Sequence, residues 1–226
     1  MEIDKKTVNR AFQVLFGLAL MAASFFLAAG RLDIPRAWFL YGMSLVQLLC
    51  NFVIFWKFAP GVMAERSEMK PGMKSWDKAF AVGYILSVVA IHAVAGFDIG
   101  RAGWSDLGET FGAFGVALYV IGAIIIAWAM VVNKFFETTV TIVKGHQVMT
   151  GGPYAIVRHP GYAGMILMYG SASLVLGSAV SLIPAAILAL LFVGRTYMED
   201  KTLQEELKGY KEYMKKVRYR LVPGIW

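Results

Sequence analysis

The chain has 226 residues, of which 58% are hydrophobic and only 16% charged, with a formal net charge of +7. That balance excludes an ordinary soluble domain, because several apolar runs approach the roughly 20 residues a spanning helix needs. The single cysteine, Cys50, excludes both an intrachain disulfide framework and a cysteine-based metal site.

A short charged start, Glu2 to Arg10, precedes a first predicted span at about 11–29. That run lacks a small-residue cleavage site and more spans follow, so it reads as a span and not as a signal peptide. The link GRLDIPR leads to a second span at about 37–58, and a loop over 59–77 then carries Pro60, Arg66, Lys70, Pro71 and Lys74. A third span at about 78–97 and a short loop with Asp98, Arg101, Asp106 and Glu109 precede a fourth span at about 111–133. Residues 161–194 form an unbroken apolar stretch, too long for one crossing of a hydrocarbon core about 30 Å thick. Gly177-Ser178 and Pro184 offer breaks, which predicts a hairpin of two short helices at about 161–176 and 180–198. From Lys201 to Arg220, residues Leu203, Leu207, Tyr210, Met214 and Val217 recur at helical spacing, the pattern of an amphipathic helix at a membrane surface.

The expected fold is therefore all-α: a polytopic transmembrane helix bundle of about four full spans, a C-terminal helical hairpin and a surface amphipathic helix. It reads as one membrane domain, 1–226, in which 1–133 holds N-terminal spans of unassigned role and 134–226 holds the polar chemistry. With the N-terminus inside, only Arg31, Arg36 and Arg101 of the 22 lysines and arginines fall outside. The bias puts both termini, and the polar segment between the fourth span and the hairpin, on the cytoplasmic side. It also explains the basic excess without nucleic acid, for which no binding fold is present. No GxGxxG follows a strand-like segment, so a Rossmann fingerprint is absent.

Two clusters carry chemistry. The first is His146–Tyr162, HQVMTGGPYAIVRHPGY, where two histidines, two prolines, an arginine and two tyrosines crowd a helix entrance. Membrane proteins keep such groups out of hydrocarbon unless they are used, since each costs several kcal/mol there (~2–7 for an unbonded polar group). The second is Arg195 with Glu199, one helical turn apart and on one face. Each feature has a plainer reading. Arg195 would snorkel to the headgroups with Glu199 as its pair. Tyr154 and Tyr162 would be interfacial anchors. His159 would bond backbone at a helix start, and Pro160 suits a first helical turn. Gly161 and Gly164 would permit close packing, as would Gly112, Gly115 and Gly122. His92, inside the third span, reads as an interhelical hydrogen bonder. Three scattered histidines without a paired ligand spacing predict no metal site.

The residues also carry a resemblance. GGPYAIVRHPGYAG, followed after the hairpin by RTYMEDKTLQEELKGYKEYMKKVRYRLVPGIW, resembles the isoprenylcysteine carboxyl methyltransferase family over about 134–226, the last two-fifths of the chain. Its members are integral-membrane enzymes using S-adenosyl-L-methionine, which leaves as S-adenosyl-L-homocysteine, and phospholipid and small-thiol methyltransferases share the core. The resemblance implies a cofactor lined by His146, Gln147, Val148 and Met149, then Tyr154, His159, Pro160, Gly161 and Tyr162, and completed by Glu199. It implies that Arg195 faces the methyl acceptor. Thr139 stands where the prenyl-cysteine enzymes have a glutamine, and the usual Glu-Glu pair reads Glu199-Asp200.

The chemistry agrees with that assignment. Glu199 suits the cofactor's ammonium, and backbone N–H groups with His159 at the helix start suit its carboxylate. The tyrosine rings suit adenine or sulfonium. A carboxylate acceptor needs no general base, and Arg195 would hold it with a bidentate fork. The favoured function is a membrane methyltransferase acting on a lipophilic acceptor that enters from the bilayer, an isoprenylcysteine-like carboxylate. A phospholipid or thiol methyltransferase is an alternative of the same class, and two of other classes stand beside it. One is an NADPH-dependent sterol or steroid reductase of shared C-terminal architecture, which would need more basic residues to meet a 2′-phosphate. The other is a non-enzymatic lipid-binding scaffold, which would carry a degraded pocket.

Overall fold

A computed structural model describes residues 5–59, 66, 73–143 and 145–226. Among them lie seven α-helices: α1 (Lys5–Ala29), α2 (Pro35–Phe58), α3 (Ser75–Phe97), α4 (Glu109–Val132), α5 (Pro160–Leu176), α6 (Leu182–Glu206) and α7 (Tyr210–Lys216). A π-helical turn, Asp98–Ala102, extends α3, and a 3-10 turn, Gly152–Ala155, precedes α5. The all-helical polytopic bundle expected from the sequence is the fold found. Pro60, Lys70 and Pro71 of the second link lie outside the described residues.

Five described helices are long and apolar enough to cross a membrane: α1, α2, α3 with its π turn, α4 and α6. Leu27, Leu86, Phe12 and Leu190 are more than 60% exposed, an arrangement water would penalise and lipid tails would not. The protein is an integral membrane protein on this count. The hairpin forms at the predicted break, and Gly177 closes α5 in the left-handed region with φ of 89°. Its N–H bonds to Leu174 O at 3.2 Å and the Ser178 N–H bonds to Ser173 O at 3.0 Å, the pairing of a Schellman cap.

Two boundaries differ from expectation. The second arm of the hairpin is not short: α6 runs on to Glu206, because nothing in RTYMEDKTLQEE breaks a helix. The amphipathic segment is correspondingly divided at Gly209, which adopts φ of 87°. Its apolar residues Leu207, Tyr210, Tyr213 and Val217 are buried together with Ile142 and Val148, so that face covers protein.

Close packing brings α4 onto α5. A Cβ added at Gly164 would lie 2.8 Å from Gly122 O, and one at Gly122 would lie 2.6 Å from Gly164 O. Gly115 lies in the same way against Leu174 and Val175, so these glycines serve packing within the chain. Asp98 fixes the far end of the bundle. It accepts hydrogen bonds from Ser178 Oγ at 2.6 Å and from Ser105 N at 3.0 Å, and Ser105 Oγ joins them. The turn between α5 and α6 thus meets the link between α3 and α4 at one end. The segment 133–159 and the C-terminal tail meet at the other, where Lys74 pairs with Glu206 at 2.5 Å. His92 Nδ1 bonds Tyr41 OH at 3.0 Å, as an interhelical hydrogen bonder does.

Candidate functional site

The extended segment after α4, the start of α5 and the second half of α6 enclose a cavity of about 780 Å³, counting its solvent-open mouth. His146, Gln147, Val148, Met149, Tyr154, His159, Gly161, Tyr162, Arg195 and Glu199 all line it. Residues separated by some fifty positions in sequence are thus brought to one place. Pro160 stands apart, buried as the first residue of α5 behind the wall.

Glu199 faces the cavity, with its side chain 20% exposed. Its Oε2 accepts the Tyr162 hydroxyl at 2.5 Å, while Oε1 has His159 Nδ1 at 3.9 Å and no hydrogen bond from the described residues. Arg195, one turn earlier, is held far more firmly than a snorkelling arginine. Its Nε donates to Tyr162 OH at 2.8 Å, and its Nη2 donates to Thr138 O at 2.9 Å and lies 3.2 Å from Asp77 Oδ1. The guanidinium lies over the Phe80 ring at 4.4 Å. This corrects the bidentate fork expected of it. The Nε and Nη2 donors are taken, and among the described residues only Nη1 has no protein acceptor. Arg195 can therefore hold an incoming anion at one point.

Asp77, in the first turn of α3, is fully buried, and its Oδ2 accepts Val140 N–H at 2.9 Å. One carboxylate thus fixes Arg195 and the cavity wall together. In the sequence Asp77 reads only as an acid suited to a helix N-terminus. Its partner lies on another helix, and no local spacing announces it.

Asp200 is the second unforeseen centre. Its side chain, 1% exposed, meets Arg158 through two parallel bonds, Nε at 2.9 Å and Nη2 at 3.0 Å. It also accepts Tyr210 OH at 2.7 Å and Arg220 Nε at 3.0 Å, and His159 Nε2 lies at 3.2 Å. Arg158 Nη1 reaches the carbonyls of Val217 and Arg218 at 2.9 and 2.7 Å. This network straps the C-terminal tail beneath the start of α5. At the start of α5 the His159 N–H donates to Arg220 O at 2.9 Å, and Phe136 lies close to Gly161. The His159 N–H is thus taken within the chain, while His159, Gly161 and Tyr162 still line the cavity.

His159 and Tyr162 stack with rings 6° from parallel, and Phe135 stacks on His146 at 4.4 Å between centroids. Tyr154 accepts from Asn133 Nδ2 at 3.1 Å, and its carbonyl receives Tyr213 OH at 2.7 Å. Burial pushes the phenols of Tyr154, Tyr210 and Tyr213 above their ordinary range, so each stays a hydrogen-bond donor at neutral pH. Burial, with help from Arg10, pushes Arg66 down to about 10, still a cation at neutral pH. Its guanidinium lies 5.0 Å over the Phe136 ring.

Fold and site together define a membrane-embedded helical protein with a charged, aromatic-walled cavity at one end of its bundle. Residues 115–205 match the model of the isoprenylcysteine carboxyl methyltransferase (ICMT) family. The matched segment covers most of α4, all of α5, nearly all of α6 and the cavity wall between them. Among curated proteins it is similar to Delta(14)-sterol reductase TM7SF2 of Mus musculus, 32% identical over 91 residues. That likeness covers 39% of this chain and 22% of the reductase.

Proposed function

We propose that the protein is an integral-membrane methyltransferase that moves a methyl group from S-adenosyl-L-methionine to a lipophilic acceptor, the carboxylate of an isoprenylcysteine-like molecule. The observation that carries this reading is the pairing of Glu199 and Arg195 in one cavity, each with a free polar edge, inside the segment that matches the ICMT family. The residues fit the cofactor, which supplies an electrophilic methyl group on a sulfonium when bound. Glu199 offers Oε1 to an ammonium in a charge-assisted bond, and Tyr162 holds its other oxygen. The Tyr154 and Tyr162 rings border the space for a cationic or adenine group.

Arg195 Nη1 takes the acceptor carboxylate. That group is ionised at neutral pH, so the residues orient it and move no proton. Asp77 offsets the guanidinium charge, which keeps Arg195 from blunting the nucleophile it positions. The placement of lysine and arginine puts the cavity and both termini on the cytoplasmic side.

The test is transfer of labelled methyl by the protein in lipid vesicles, with S-farnesyl cysteine, phosphatidylethanolamine and an alkyl thiol as acceptors. The proposal expects a base-labile methyl ester on S-farnesyl cysteine alone. Base-stable label on the amine or the thiol would move the acceptor class. The likeness to a sterol reductase supports a second reading, NADPH-dependent reduction, but in the cavity Arg158 is already taken by Asp200 and Arg195 keeps a single free donor, Nη1. No label with any acceptor, together with NADPH-dependent reduction of a sterol, would replace the first reading with the second.

A further inference from the structure

Arg66 is a buried cation for which the described residues supply no anion. It is 9% exposed, and what meets it is one ring and one carbonyl. The guanidinium lies over Phe136 at 5.0 Å, and Nη1 donates to Phe136 O at 3.0 Å. The Nε atom is buried without a hydrogen-bond partner, and among the described residues neither Nε nor Nη2 meets a carboxylate. A charge taken out of water without an opposite charge is costly, and native proteins seldom leave such a donor unused.

Nε and Nη2 are the two parallel donors on the side edge of a guanidinium. At Arg158 that edge grips Asp200, with Nε at 2.9 Å and Nη2 at 3.0 Å. At Arg195 it is taken by Tyr162 and Thr138. At Arg66 it is open, and the bond from Nη1 to Phe136 O fixes its direction. Such a fork fits a carboxylate or a phosphate through two charge-assisted bonds.

The surroundings choose the ligand. Arg66 does not line the cavity; Phe136 does, and Arg66 lies on its ring. The charges that bear most on Arg66 are those of Arg10 and Arg195, both positive. A headgroup with an ammonium beside its phosphate is repelled there, and one of net negative charge is drawn in. Hydrocarbon is at hand as well. At their far ends α1 and α2 touch through Phe26 and Trp38, with ring centroids 4.8 Å apart. Toward Arg66, α2 packs Phe55 on Ile126 and Met130 of α4 instead. Over the same stretch Phe12 and Phe16 of α1, and Leu49 and Val53 of α2, are 60% or more exposed. Basic sites between spanning helices are suited to anionic headgroups of this kind.

We infer that Arg66, with Arg10 as a nearby second cation, binds the phosphate of an anionic phospholipid whose acyl chains lie along α1 and α2. The site is separate from the residues proposed for methyl transfer and does not rest on that reading. It meets the cavity at Phe136, which lies close to Gly161, so a bound headgroup steadies one wall.

The experiment is a thermal-shift titration of the delipidated, detergent-purified full chain with phosphatidylglycerol, phosphatidylcholine and inorganic phosphate. Phosphatidylglycerol alone should raise the melting temperature of the wild type, as a ligand of the native state does. Arg66→Gln removes charge and fork together and should weaken the apparent affinity for that lipid by about 10- to 100-fold. Arg66→Lys keeps the charge, loses the fork and should weaken it by about 3- to 10-fold. Lys211→Gln, at an exposed position of α7, should leave it within about 2-fold. Without lipid, Arg66→Gln should melt level with the wild type or above it, because an unpaired buried charge has gone.

Phosphatidylcholine that stabilises the wild type as well as phosphatidylglycerol would overturn the site, and that comparison needs no variant to fold. A wild-type response in Arg66→Gln would do the same. A lipid-free melting temperature of Arg66→Gln that falls as far as the lipid raises the wild type would make the guanidinium structural and also overturn it. Stabilisation by inorganic phosphate alone would assign Arg66 to a soluble anion, and displacement of phosphatidylglycerol by S-farnesyl cysteine would assign it to the acceptor; either result overturns the lipid.

Discussion

Glu199 and Arg195 sit one turn apart and touch the same Tyr162 hydroxyl, yet the proposal gives them different tasks, and substitutions should separate them. Glu199→Ala removes the anion proposed to meet the ammonium of the cofactor, a charge-assisted bond of about 1.5–3 kcal/mol. It should weaken S-adenosyl-L-homocysteine binding by about 10- to 100-fold or abolish it, as read by calorimetry. Arg195→Ala should leave that affinity within a few-fold, roughly the loss of one neutral contact, and lower turnover far more. Equal loss of both quantities in Arg195→Ala would place the arginine in the cofactor site. Asp77→Asn keeps an oxygen for Val140 N–H and removes only the charge. It should lower turnover while the KM for an anionic acceptor falls, since an unopposed guanidinium grips the carboxylate harder. A KM that rises would mean that Asp77 acts only by holding the wall.

At the scale of elements, the C-terminal tail is held by one carboxylate. Asp200→Ala leaves Arg158, 3% exposed, as an uncompensated buried cation, a change that costs about 3–5 kcal/mol. The melting temperature should fall by roughly 10 °C, and the tail beyond Tyr213 should become protease-sensitive; an unchanged melting temperature would remove the strap from the account. The α4–α5 contact has no room to spare. Gly164→Leu should cost about 1–3 kcal/mol or more by forcing the helices apart, visible as a lower melting temperature with the cavity residues untouched.

These two elements also show what the sequence yields and what it withholds. The RHPGY segment and the Arg195–Glu199 turn were legible because the polar groups stand out against apolar runs. The hairpin was legible because Gly177 marks a turn and the run is too long for one crossing. The pairings of Asp77, Arg158, Asp200 and Arg220 were not, since the partners come from distant parts of the chain and a buried ion pair leaves no period in the sequence. The end of α6 was misplaced because charge density suggested a surface helix, while local propensity carried the helix on.

For the whole molecule, the proposed topology rests on the lysine and arginine bias. A fluorescent protein that folds only in the cytosol should light up when fused to either terminus. A dark fusion at one end would break the proposed orientation. The N-terminal spans, silent in the sequence, gain a role through α3, which brings Asp77 under Arg195. The central claim is that the cavity between α4, α5 and α6 binds an adenosyl cofactor. Its most direct measurement is a thermal-shift titration of the detergent-purified wild type and Glu199→Ala with S-adenosyl-L-homocysteine and NADPH. A ligand that binds only the native state raises its melting temperature by mass action. The account predicts stabilisation of the wild type by S-adenosyl-L-homocysteine, none by NADPH, and little or none of the variant by either. Stabilisation by NADPH alone would contradict it.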